Sequence, residues 1–103
     1  MKRSFENWKF HKYNPNSEGE IIAEVYYEIN DYKINITAVT VKEDDIKCNI
    51  KYICNYSHGK KKFTRNVFDT YQGFDKEKIK IGLRSCIEFC YNDHRRGRNI
   101  KLF

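Results

Sequence analysis

The sequence predicts an α+β fold: an antiparallel β-meander of four to five strands with one C-terminal amphipathic helix packed on one face. Two observations carry this. Between residues 21 and 68, apolar and polar residues alternate with a period of two, interrupted by short turn segments. From Lys76 onward the period changes: Ile79, Leu83, Cys86, Ile87 and Cys90 fall at i, i+4, i+7, i+8 and i+11, one stripe of a helix. That helix is the only candidate to cover the apolar side of the sheet, so the opposite side is expected to face solvent.

Residues 1–18 admit two readings. Trp8, Phe10 and Tyr13 either form a leading strand paired with the first hairpin strand across Asn14-Pro15-Asn16-Ser17, or belong to an ordered arm. In the arm they would be anchors for a partner; in the strand they complete the core. Ile21, Ala23, Val25, Tyr27 and Ile29 are expected on one face of the next strand, with Glu24, Tyr26 and Glu28 on the other. Asn30-Asp31 tolerates positive φ and suits a two-residue hairpin turn. Tyr32, Ile34, Ile36 and Ala38 then alternate with Lys33, Asn35 and Thr37.

A charged turn, Lys42-Glu43-Asp44-Asp45, leads to a strand with Ile46, Cys48, Ile50, Tyr52, Cys54 and Tyr56 on one face. Lys47, Asn49, Lys51 and Asn55 point the other way, and Ile53 breaks the pattern. Ser57-His58-Gly59-Lys60 is a turn. The following strand carries Phe63, Arg65 and Val67 on one face and Thr64, Asn66 and Phe68 on the other, and the pattern does not decide which faces inward. Asp75 is an N-cap with Phe74 poised to staple on Ile79, and the helix is expected to end near Asn92. Gly82 lowers helix propensity and permits close packing on the sheet. The tail Asn99–Phe103 alternates weakly, as a short edge strand would.

The chain has 103 residues, 40% hydrophobic and 33% charged, with eight Tyr, seven Phe and one Pro. This is the balance of one globular domain, residues 1–103, with a basic tail over 94–103, and it argues against a disordered chain. No run is apolar enough to span a bilayer, and the basic N-terminus lacks the hydrophobic stretch of a secretory signal, so a cytoplasmic setting with reduced thiols is expected. The formal net charge of +6 favours acidic partners, whether nucleic acid, an anionic membrane or an acidic protein surface, although solubility alone also accounts for it; of these, a membrane partner is not expected.

Few residues carry a chemical signature. Cys48, Cys54, Cys86 and Cys90 lack the short knuckle spacings of zinc sites and read as buried reduced thiols, and no cofactor or metal is expected. A disulfide between a strand Cys and the helix is sterically feasible but unsuited to a reducing compartment. His11, His58 and His94 lie in polar segments without a nucleophile beside them; with the neighbouring Lys and Arg they supply the residue types of a metal-independent ribonuclease. The basic residues form clearer groups. Lys60, Lys61, Lys62 and Arg65 make one cluster, and Arg95, Arg96 and Arg98 with His94 and Lys101 make another. Lys33, Lys47 and Lys51 join Asn35, Asn49, Asn55 and Asn66 on the uncovered sheet face, residue types suited to phosphates and base edges. Tyr26 and Phe68 are the only outward aromatics in the pattern.

The abundance of Lys, Asn, Ile and Tyr fits an AT-rich genome. In general character the chain resembles the small accessory proteins of phages and mobile elements, many of which bind and block a larger nucleic-acid-handling machine. The expected function is therefore a non-enzymatic protein that binds and inhibits a nucleic-acid-handling protein, such as a CRISPR-type defence nuclease. The alternatives are direct RNA or DNA binding and a small ribonuclease. The residues expected to bind are Lys47, Lys51, Lys60, Lys61, Lys62, Arg65, Arg95, Arg96 and Arg98.

Overall fold

A computed structural model of the protein describes residues 8–11, 19–41, 50–70 and 75–93. It shows five strands, β1 (Trp8–Phe10), β2 (Ile21–Ile29), β3 (Tyr32–Thr40), β4 (Ile50–His58) and β5 (Lys61–Asp69), followed by helix α1 (Lys76–Asn92). The strands form one antiparallel sheet in chain order, β1-β2-β3-β4-β5, so every strand pairs with its sequence neighbour. The expected α+β meander with a covering helix is the observed architecture. The charged turn at 42–45, residues Ile46–Asn49, Phe74, Tyr13, the Asn14–Ser17 turn and the tail lie outside the described residues.

Two hairpin turns set the register. Asn30 and Asp31 both adopt positive φ, 47° and 68°, as a type I′ turn requires. At the β4–β5 turn only Gly59 does, with φ 62°, which matches a type II′ turn. Both turns twist with the strands they join, and His58 pairs directly with Lys61 across the second.

α1 begins where Asp75 accepts a hydrogen bond from the Glu77 backbone N–H at 2.9 Å, which satisfies one of the helix's orphan donors. Ile79, Gly82, Leu83, Cys86, Ile87, Cys90 and Tyr91 are its buried stripe. They meet Val25, Tyr27, Ile34, Ile36, Ala38, Tyr52 and Cys54 from the sheet in one core. The helix ends at Asn92, as its pattern predicts. Its last turns are tied to the first hairpin by Asn30 Nδ2 donating to the Tyr91 hydroxyl at 3.0 Å and by the edge-on packing of Tyr91 on Tyr32.

The N-terminal aromatics belong to the sheet. Trp8 and Phe10 sit half-buried against the core from β1, and Lys76 and Lys80 place their ammonium groups 5.6 and 5.8 Å from the Trp8 ring. The strand reading of these two residues therefore holds and the arm reading does not.

One expected face is wrong. Ile21 is 46% exposed, while its neighbour Ile22 is fully buried. The register shifts between Ile21 and Ala23, a β-bulge that adds one residue and reverses the parity. Ile22 and Ala23 thus both reach the core, and Ile21 is turned to the open side. Just before the bulge the ladder is extended by paired backbone bonds between Gly19, Glu20 and Thr40, and the Thr40 hydroxyl accepts from the Glu20 N–H at 3.0 Å.

The helix packs on β2, β3 and β4. β5 projects beyond it, which is why Phe63 and Val67 are only half-buried although they belong to the core-facing row.

Candidate functional site: the open face of the sheet

The hydrogen-bonded registers align the solvent-side residues into four rows across β2, β3, β4 and β5. The row nearest the hairpin turns is Glu28, Lys33, Ser57 and Lys62. Next come Tyr26, Asn35, Asn55 and Thr64, then Glu24, Thr37, Ile53 and Asn66. The far row is Ile21, Val39, Lys51 and Phe68. The face therefore grades from charged at the turn end, through amides and hydroxyls, to apolar at the other end.

The polar half is a shallow groove of about 280 Å³ lined by Tyr26, Lys33, Asn35, Asn55, Lys62 and Thr64. Thr64 donates to Asn55 Oδ1 at 2.9 Å, which fixes that amide. Tyr26, 44% exposed, reaches toward Glu28 with an O···O distance of 3.4 Å. Lys33 and Lys62 flank this row on the turn side.

The apolar half was less legible in the sequence. Phe68 is 56% exposed, Ile21 46% and Ile53 half-buried, all on the side away from α1. Val39 is buried yet belongs to this side and not to the main core. Ile53 breaks the alternation because it lies here, opposite Thr37 and Asn66. The bulge is what delivers Ile21 to the same patch.

The basic cluster around the β4–β5 turn divides by strand parity. Lys62 is on the open face. Lys61 and Arg65 point to the helix side, and Lys60 sits in the turn. Arg65, half exposed, lies 3.2 Å from Asp93 and 5.2 Å from the centre of the Phe89 ring, so its charge is answered in part on the helix side. Lys51, half-buried between Val39 and Phe68, is on the open face as expected. Lys47, Arg95, Arg96 and Arg98 lie outside the described residues, as do Asn49 and His94. Eleven of the twenty Lys and Arg and nine of the fourteen Asp and Glu are described, so most of the positive excess belongs to the other segments.

The chain matches no protein-family model, no curated protein and no solved structure. His11 bonds Glu24 on the open side at 2.9 Å, whereas His58 stacks on Tyr32 on the helix side with ring centres 4.1 Å apart. The two described histidines thus serve opposite faces and converge on no common point.

The cysteines meet in the core. Cys54 of β4 lies against Cys86 and Cys90 of α1, and all three are free and buried. Hydrogen bonds from Cys86 and Cys90 favour the thiolate of Cys54, while burial opposes it; the sulfur contact with Cys54 and burial push both helix thiols up. Spacing placed Cys86 and Cys90 on one stripe but could not show that Cys54 sits under them. Cys48 lies outside the described residues. Among the described residues no group of His, Cys, Asp and Glu is arranged to hold a metal, and no helix is long and apolar enough to cross a membrane.

Proposed function

We propose that the protein is a non-enzymatic binding module that docks another protein on the open face of its sheet. The observation that carries this is the accessible apolar trio of Ile21, Ile53 and Phe68, with buried Val39 beneath it, Lys51 running between Val39 and Phe68, and Asn66 and the amide rows alongside. An exposed apolar cluster with a polar, cationic rim is the anatomy of a protein interface, with the aromatic and aliphatic side chains as anchors and the rim as steering charge. The partner class is an acidic surface on a nucleic-acid-handling protein, and blocking a defence nuclease of the CRISPR type is the form of activity that fits a small basic chain of this character.

Ile53→Asp places a charge at the centre of the patch without touching the core. Capture from nuclease-treated host extract should recover a stoichiometric protein partner with the wild type and lose it with Ile53→Asp at unchanged circular dichroism. Recovery of nucleic acid alone, or a partner indifferent to Ile53→Asp, would overturn the reading.

The groove favours a second reading, single-stranded RNA or DNA, because Tyr26 offers a ring beside the Asn35 and Asn55 amides with Lys33 and Lys62 alongside. It is the weaker one, since Tyr26 on β2 and Phe68 on β5 are separated by two strands and make no continuous stacking track. Binding that falls steeply with salt and disappears in Lys33→Glu/Lys62→Glu would favour it.

A further inference from the structure

The structure points to a homodimer: we infer that two copies of this chain pair through antiparallel β5 strands about a twofold axis at Arg65, joining their sheets edge to edge.

β5 is a nine-residue strand at the end of the sheet, and among the described residues it has a strand partner on one side only. At the opposite edge β1 has three residues. His58 pairs with Lys61 across a two-residue turn, the geometry in which flanking residues exchange both backbone bonds. Alternation from there directs the N–H and C=O of Lys61, Phe63, Arg65, Val67 and Asp69 toward β4, and those of Lys62, Thr64, Asn66 and Phe68 outward. The outward set is a ladder ready for a further strand.

The sequence of β5 complements its own reverse. With Arg65 on the axis, Lys61 falls opposite Asp69 of the second copy, and Asp69 opposite its Lys61. Phe63 meets Val67, and Thr64 meets Asn66. Lys62 meets the exposed ring of Phe68. Two opposite-charge pairs, two apolar pairs, two polar pairs and two cation–aromatic pairs result, each a favourable cross-strand combination. The one like-charge pair, Arg65 with Arg65, is relieved because each guanidinium is drawn toward α1 by Asp93 and Phe89. Lysines on an edge strand ordinarily guard against pairing; here Asp69 answers Lys61 at the far end of the same strand.

The helix side supplies the area that a lone strand pair lacks. Because α1 covers β2, β3 and β4, an apolar groove of about 420 Å³ remains between α1 and β5, lined by Val67, Ile81, Gly82 and Phe89. Ile81 is 57% exposed and Phe89 42%. A twofold through β5 brings the two overhanging ledges together on this side and sets the two open faces side by side on the other.

Sedimentation at increasing concentration tests this with four forms of the chain. Wild type should associate to a dimer. Lys61→Asp places Asp opposite Asp69, and Asp69→Lys places Lys opposite Lys61, so each single variant should dimerise at least about tenfold more weakly. The double swap Lys61→Asp/Asp69→Lys restores both pairs and should dimerise again. An equimolar mixture of the two single variants also matches every charge, and should form a heterodimer that neither variant forms alone. A wild type that stays monomeric throughout overturns the inference, as does a dimer that the single variants leave equally tight. Single variants that stay monomeric when mixed overturn it too.

Discussion

The hydroxyl of Tyr56 on β4 donates to the carboxylate of Asp93, the residue that follows the last turn of α1. A carboxylate at a helix C-terminus opposes the helix dipole. Here Tyr56 and Arg65 offset that, and together they fasten the end of the helix to β4 and β5.

The two partners of Asp93 are not equal in weight. Arg65 is 51% exposed, so Arg65→Ala should lower stability by under about 1 kcal/mol. The Asp93 side chain is only 12% exposed, and Asp93→Ala strips a buried hydroxyl of its acceptor, at a cost of about 1–3 kcal/mol. Urea titration of the two variants should give that order.

Burial, helped by the bond to Asp93, raises the Tyr56 pKa above its ordinary value. The folded chain therefore keeps this proton at pH values where the unfolded chain has released it. The associated stability is complete below pH about 10 and is lost as pH rises past that value toward the higher folded-state pKa. Tyr56→Phe should be less stable at neutral pH and should show a shallower alkaline decline, which urea midpoints measured at a series of alkaline pH values will reveal.

The hairpin turns should respond in opposite senses to glycine chemistry. Gly59→Ala puts a Cβ on a residue at φ 62° with nothing within 4 Å, so its penalty of about 1–2 kcal/mol is conformational rather than steric. Asp31→Gly at φ 68° creates the Asn-Gly pair favoured by type I′ turns and should be neutral or stabilising by a few tenths of a kcal/mol. Thermal melts of the two variants distinguish the cases by sign.

Leu83→Ala, at a fully buried position, should cost about 2–5 kcal/mol, whereas Ile81→Ala two residues away should leave monomer stability within about 0.5 kcal/mol. Dilute samples are required, so that any self-association through the Ile81 side does not enter the comparison.

The three core thiols should be inert to aromatic disulfide reagents in the native state. Cys54 and Cys90 are fully buried and Cys86 nearly so. Their labelling should become fast only at denaturant concentrations that unfold the chain.

How much of this was legible depended on whether a side chain's neighbour was local. The β2–β3 hairpin, the Asp75 cap and the helix stripe were readable because turn chemistry, capping and periodicity act within a few residues. The fate of Ile21 was not, because a bulge is one extra residue with no compositional mark beyond the Ile21-Ile22 doublet. β5 carries an aromatic on each side, Phe63 and Phe68, so its inward face was decided only by pairing with β4. Ile53 was visible as an anomaly, and its meaning came from its cross-strand neighbours Thr37 and Asn66. Sequence proximity groups Arg65 with the lysines, while Asp93, the residue it faces, is 28 positions away along the chain.

Because spatial order follows chain order, all five strands precede α1 along the chain, and the sheet's cover comes from a segment that follows every strand. Without α1 the sheet presents Ile22, Val25, Ile34, Ile36 and Tyr52 with no cover. A chain truncated after Asp69 is therefore not a partly active fragment but a sticky half-protein for chaperones to hold.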